Sequence, residues 1–200
     1  DEVFQWCQRG RLRPELERSG LLQEMHLPSG QRRPADVLVC RAPGLLRDLP
    51  GMPAPRDAQR VALDFAVINA LGSSHHQETF QGSTKAAVAY SRRKCSHNRT
   101  QARCAEAGIA FEPIIFECQG GLEPRAAAIL HRIAAAVAAQ EDADAAIIKK
   151  SMLERLALIT ARRSSRAIRR RDAKARVSDT NRGVKRLLAE AALETAGEFQ

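Results

Sequence analysis

Aromatic residues make up only 4% of this 200-residue chain. A core therefore has to be built from Ala, Leu, Ile and Val, and the 44% hydrophobic content is enough for one domain with an appendage. No apolar run is long enough to span a bilayer, so no membrane association is expected. Cys7, Cys40, Cys95, Cys104 and Cys118 form no CxxC pair and no zinc-finger spacing, which argues against a structural zinc. Their odd number and scatter suit free thiols in a reducing, intracellular compartment. The N-terminus, Asp1-Glu2, has neither a Met nor a signal-peptide pattern, so the chain reads as a piece of a longer polypeptide. No internal repeat is present.

Acids are also in the minority. The net charge is +9 and the pI about 9.9, which points to polyanionic partners, nucleic acid first. Charge alone leaves ribosomal-type or chaperone-like binding open.

The apolar runs alternate with helical patterns, which is an α/β reading. Val3, Phe4, Trp6, Leu12 and Leu16 are loosely helical, interrupted by Gly10 and Pro14. Strands are expected at 21–27, at Pro34 to Cys40, at Val61 to Asn69 and at Ile109 to Glu117, where Pro113 favours an edge position. The proline- and glycine-rich stretch 41–58 is a long loop, and a second loop starts at Gly72. A helix capped by Ser83 or Thr84 runs to about Ala107 and stops at Gly108. On it Tyr90, Lys94, His97 and Gln101 share one face. Pro124 opens another helix. After a break at 140–144, an amphipathic run from Ala145 to about Arg171 carries Ile148, Met152, Leu156 and Ile159. Residues 181–194 could form a short helix but are expected to fray or to belong to the next part of a longer chain. The expected division is an α/β domain at 1–140 and a helical, arginine-rich extension at 141–200.

Two strands each carry an acid: Asp36 in Arg32-Arg33-Pro34-Ala35-Asp36-Val37-Leu38-Val39, and Asp64 in Val61-Ala62-Leu63-Asp64-Phe65-Ala66-Val67-Ile68. A carboxylate in a covered strand is costly unless something pairs with it. A divalent cation would neutralise both and supply chemistry. The plainer reading pairs Asp36 with Arg32 or Arg33 and puts Asp64 at a sheet edge. Paired acids followed by a helix with a lysine suit metal-dependent phosphodiester cleavage, in which the lysine orients the water or offsets developing charge.

These residues resemble the restriction-endonuclease-like, PD-(D/E)xK nucleases over roughly residues 15–135. More narrowly, they are similar to the nuclease-like region near the C-terminus of some non-LTR retrotransposon polyproteins. Pro34-Ala35-Asp36 stands at the Pro-Asp element, with one residue inserted, and Asp64 stands at the second acid. The usual lysine would fall at Ala66 and is absent; Lys94 on the following helix matches the retrotransposon branch. Glu17 matches an upstream helical glutamate, and Glu117 before Gly120-Gly121 is a further candidate for the site or a cap for that turn. The resemblance implies a central mixed sheet flanked by helices and DNA endonuclease activity with Mg²⁺ or Mn²⁺ on Asp36 and Asp64. It also implies a reverse transcriptase domain in the same longer chain and a nuclear location. A catalytically inactive nucleic-acid-binding module, or a scaffold for a polymerase domain, is the alternative.

Other side chains have weaker claims. Lys94 can be read as part of a solvated face, Lys85 is its rival, and His97 could shuttle a proton. His75-His76 lacks partners at metal-ligand spacing. Arg162, Arg163, Arg166, Arg169 and Arg170, followed by Arg171, Lys174 and Arg176, read as a nucleic-acid contact, or else as an interface with an acidic neighbouring domain.

Overall fold

The computed structural model describes residues 2–16, 35–41, 44–47, 49, 59–70 and 84–197, with side chains described to 171. In order, the elements are helix α1 (Glu2–Arg9), strands β1 (Pro14–Leu16), β2 (Val37–Val39) and β3 (Arg60–Ile68), and helix α2 (Lys85–Ser96). A 3-10 turn (His97–Arg99) follows, then helix α3 (Thr100–Glu106), strand β4 (Ile109–Glu117) and helices α4 (Pro124–Glu141) and α5 (Ala145–Gly197).

The four strands form one mixed sheet in the order β1-β2-β3-β4. β1 and β2 are antiparallel, as are β2 and β3, with Val37 opposite Leu63 and Val39 opposite Val61. β3 and β4 are parallel, with Leu63 level with Glu112 and Asp64 with Pro113. A parallel pair needs a crossover, and α2 and α3 provide it. Side chains alternate across a strand, and the two faces sort accordingly. Val61, Leu63, Ala110 and Ile114 pack with α1 and α4. Ala62, Phe111, Cys95 and Cys104 share a cluster on the α2–α3 side, and Ile115, Ala66, Ala86 and Ala87 continue along it.

The α1–α4 side holds the larger core. α4 starts with Pro124 at its first turn, as expected. It buries Ala126, Ile129, Leu130, Ile133, Ala134 and Val137, a three-and-four spacing that makes one apolar face. Each fully buried Ile or Leu contributes about 1.5–3 kcal/mol. Small side chains let neighbours approach: a Cβ at Gly10 would stand 3.3 Å from the Ala136 Cβ. Arg9 closes the same seam with two bonds to the Glu141 carboxylate at 2.7 and 2.8 Å.

Several expectations need correction. The segment after α1 is not helical; Pro14 opens an edge strand, a position where its missing N–H is tolerated. Thr84 precedes α2 with φ 65 and makes no side-chain cap. The helix expected to reach Ala107 breaks after Ser96, where Asn98 and Arg99 adopt φ 51 and 56. Two consecutive non-glycine residues there cost on the order of 1–3 kcal/mol each. Gly108, at φ 67, ends α3 as expected. α5 continues to Gly197 as one helix instead of ending near Arg171. The expected strand 21–27, most of the loop 41–58 and His75-His76 lie outside the described residues.

The chain divides into two compact units, Asp1–Thr160 and Ala161–Gln200. Ile148, Met152 and Leu156 of α5 are buried in the first unit's core. Among the described residues no helix is long and apolar enough to cross a membrane.

Candidate functional site

Asp36 stands where the chain enters β2. Its N–H donates to the Leu63 carbonyl at 3.0 Å, and its Oδ2 accepts the Phe65 N–H at 2.8 Å. The paired register ends at Val37 opposite Leu63; exposed Asp36 stands just before it, near enough for its charge to act on Asp64 in β3. The adjacency expected of the two acids is present.

Asp64 sits mid-strand on the α2–α3 side of β3, next to Ala62 and Ala66 in the alternation. Lys94, in the last turn of α2, reaches down to it: Nζ lies 2.7 Å from Asp64 Oδ2, with the two side chains 30% and 17% exposed. Burial pushes the Asp64 carboxyl above the usual aspartate range; Lys94 pulls it back, and the charge of Asp36 pushes it up again. Tyr90, one turn before Lys94, packs against the Ala66–Ile68 cluster, and the Arg93 guanidinium lies 5.2 Å from its ring.

The remaining expected residues fare differently. Glu117 ends β4 level with Ile68. That is four residues along from the level of Asp64, about 13 Å at strand spacing, so Glu117 does not join the acids. It serves the turn instead: its carbonyl accepts the Gly120 N–H at 2.9 Å, its N–H donates to the Gly121 carbonyl at 2.8 Å, and its carboxylate fills the space a Cβ on Gly121 would need. Lys85 is exposed in the first turn of α2, and His97 is exposed in the 3-10 turn, off the Lys94 face because the helix has ended. Glu17, Arg32 and Arg33 lie outside the described residues. Arg162, Arg163, Arg166, Arg169 and Arg170 are all exposed on α5 in the second unit, where Ala161, Arg162, Ser165, Arg166 and Arg169 line a shallow groove.

One cluster went unforeseen. Glu112, on the α4 side of β4, binds Arg125 through both oxygens, at 2.7 Å to Nε and 2.6 Å to Nη2. Glu123 is buried beside them, and its Oε2 has no hydrogen-bond partner among the described residues. The signal was available: Glu112 is an acid inside a covered strand, the same anomaly that marks Asp64.

No family model, curated protein or solved structure matches this chain. The site is therefore interpreted from its own geometry. Among the described residues no group of three or more acids, histidines or cysteines could hold a metal ion. Two carboxylates remain, Asp36 and Asp64, whose Oδ2 atoms meet the Phe65 N–H and the Lys94 ammonium. A Mg²⁺ ion bound through one or two carboxylates, completed by water and substrate phosphate, is compatible with that donor set.

Proposed function

We propose that this chain is a metal-dependent DNA endonuclease domain with a restriction-endonuclease-like core. The observation that carries the reading is Asp64 with Lys94 2.7 Å away, and Asp36 held to the neighbouring Phe65 N–H of the same strand. Asp36 and Asp64 would hold Mg²⁺ or Mn²⁺, with water and substrate phosphate completing the shell. A divalent ion there polarises a phosphodiester and makes a water a better nucleophile at neutral pH. The chain's own residues supply the rest. The ladder bond from Phe65 fixes Asp36 before substrate arrives, which lowers the cost of ordering the site. Lys94 offers a fixed positive charge and a hydrogen-bond donor to the charge that develops at phosphorus.

The resemblance of Pro34-Ala35-Asp36, Asp64 and Lys94 to retroelement nucleases extends the proposal. The domain would then work in a longer polypeptide beside a reverse transcriptase, in the nucleus. Binding without cleavage is the second reading, favoured by Ala66 at the usual lysine position and by the two-acid donor set.

Nicking of plasmid DNA by the purified chain decides between them. Wild type should nick with Mg²⁺ or Mn²⁺ and bind but cleave poorly with Ca²⁺, whose coordination is looser. Asp64→Ala should abolish nicking and leave affinity equal or tighter, since a charge repelling phosphate is gone. Nicking that survives Asp64→Ala or the removal of metal would assign the activity elsewhere.

A further inference from the structure

The proposed chemistry needs a route by which a phosphodiester reaches Asp64 and Lys94, and α2 offers a surface for it. From Lys85 to Ala105 the sequence holds no Asp or Glu, yet it carries Lys85, Arg92, Arg93, Lys94, Arg99 and Arg103. Lys94 turns inward to Asp64, while Arg92 and Arg99 are exposed. The pair between Arg99 and Glu106 is loose, 3.9 Å long with side chains 75% and 68% exposed, so it commits little of that charge. The turn His97–Arg99 is exposed throughout, and its two left-handed residues answer to no buried packing. Strain held at an exposed basic turn next to a candidate site is a mark of function.

We propose that the solvent side of α2 and the His97–Arg99 turn form a docking surface for the phosphate backbone of duplex nucleic acid, one that delivers a phosphodiester to the acids beneath. The inference rests on the endonuclease reading for its purpose, but on charge and exposure for its partner. Phosphates are favoured over bases because the surface is rich in arginine while its tyrosine is partly covered. Tyr90, the aromatic residue of α2, is half-buried with Arg93 over its ring, and single-strand binding relies on exposed aromatic faces. Backbone contacts position nucleic acid without reading its sequence.

The test is fluorescence anisotropy of a short mixed-sequence duplex with the full chain, in EDTA so that no strand is cut, over a range of salt. Arg92→Ala/Arg99→Ala should bind about tenfold more weakly, and its plot of log affinity against log salt should be shallower by roughly 0.9 for each phosphate no longer neutralised. The weakening should be equal on unrelated sequences. Circular dichroism and the thermal midpoint should match wild type, since both side chains are exposed. Arg92→Glu alone is the second arm and should weaken binding in the same direction. Unchanged affinity and salt slope in both variants would overturn the proposal. So would tighter binding to a single strand of equal length, or polyglutamate that competes as well as duplex and marks an acidic protein partner. A salt dependence that vanishes with Arg162, Arg166 and Arg169 and ignores α2 would also overturn it. Wild type that binds through α2 but never nicks would sink the nuclease reading and leave the docking surface standing. Nicking with unchanged affinity in the double variant would do the reverse.

Discussion

Two acid–base pairs stand on opposite faces of the same two parallel strands, and they are built differently. Glu112 and Arg125, on the α4 side, are 4% and 13% exposed, and both carboxylate oxygens are bound by one guanidinium. Asp64 and Lys94, on the α2 side, are 17% and 30% exposed and share one contact. A second carboxylate, Asp36, at the entry to β2, adds a like charge near the open pair. A saturated, buried pair can hold elements together but has no oxygen left for a ligand. An unsaturated pair at the surface beside a like charge is poor architecture and useful chemistry. The contrast suggests which acid in a covered strand to regard as functional.

The strongest way to break this comparison is to remove Arg125. Two buried carboxylates, Glu112 and Glu123, would be left without their cation. Arg125→Ala should cost about 3–5 kcal/mol, as expected when one partner of a buried pair is removed. Urea denaturation should show this as a lowered midpoint at constant slope. A change below about 1 kcal/mol would mean that the buried pair holds nothing.

Lys94 should behave the other way round. Lys94→Ala should change stability by about 0–1 kcal/mol, the range of partly exposed pairs. Nicking should fall about 10²–10³-fold, the usual cost of one preorganised donor. Lys85→Ala should alter neither. Destabilisation as large as that of Arg125→Ala, with nicking intact, would erase the distinction between the two pairs.

What could be read from the sequence follows the same division. β3, β4, the stop at Gly108 and the apolar face of α4 were legible because period and punctuation are local signals. Asp36 and Asp64 drew attention because a carboxylate in an apolar run is an anomaly by itself, whereas Lys94 was singled out only by the resemblance. β1 was not, since three residues are too short to establish a period. The break at Asn98-Arg99 was not, because neither Gly nor Pro marks it and the surrounding residues suit a helix. Glu112 was missed although it obeys the rule that found Asp64. Pro113 beside it correctly marked β4 as an edge strand, but Glu112's partner Arg125 comes from a helix turn that no periodicity links to it. Glu117 stayed open between site and turn, because a turn-forming glutamate and a ligand glutamate look alike until the register puts four residues between Glu117 and the level of Asp64.

The smallest effect sharpens the comparison most. Glu123 is 7% exposed, its Oε2 has no described partner, and Glu112 already takes both forks of Arg125. Burial pushes its carboxyl above the ordinary glutamate range, against the pull of Arg125. A carboxyl raised in the folded state holds its proton more firmly there than in the unfolded chain. Its favourable contribution is therefore complete below the unfolded value and is lost as pH rises through the folded one. Glu123→Gln keeps the shape and removes the charge. The variant should match wild type in acid and gain on it as pH rises out of the glutamate range. By neutral pH it should be more stable by on the order of 1 kcal/mol, since a neutral buried group costs less to leave unsatisfied than a charged one. The check is the difference in unfolding free energy between the two proteins, measured by denaturant titration across that pH range. A variant less stable than wild type at neutral pH would show that Arg125 needs both carboxylates. The buried pair would then be an open three-membered network, and saturation would no longer separate it from Asp64 and Lys94.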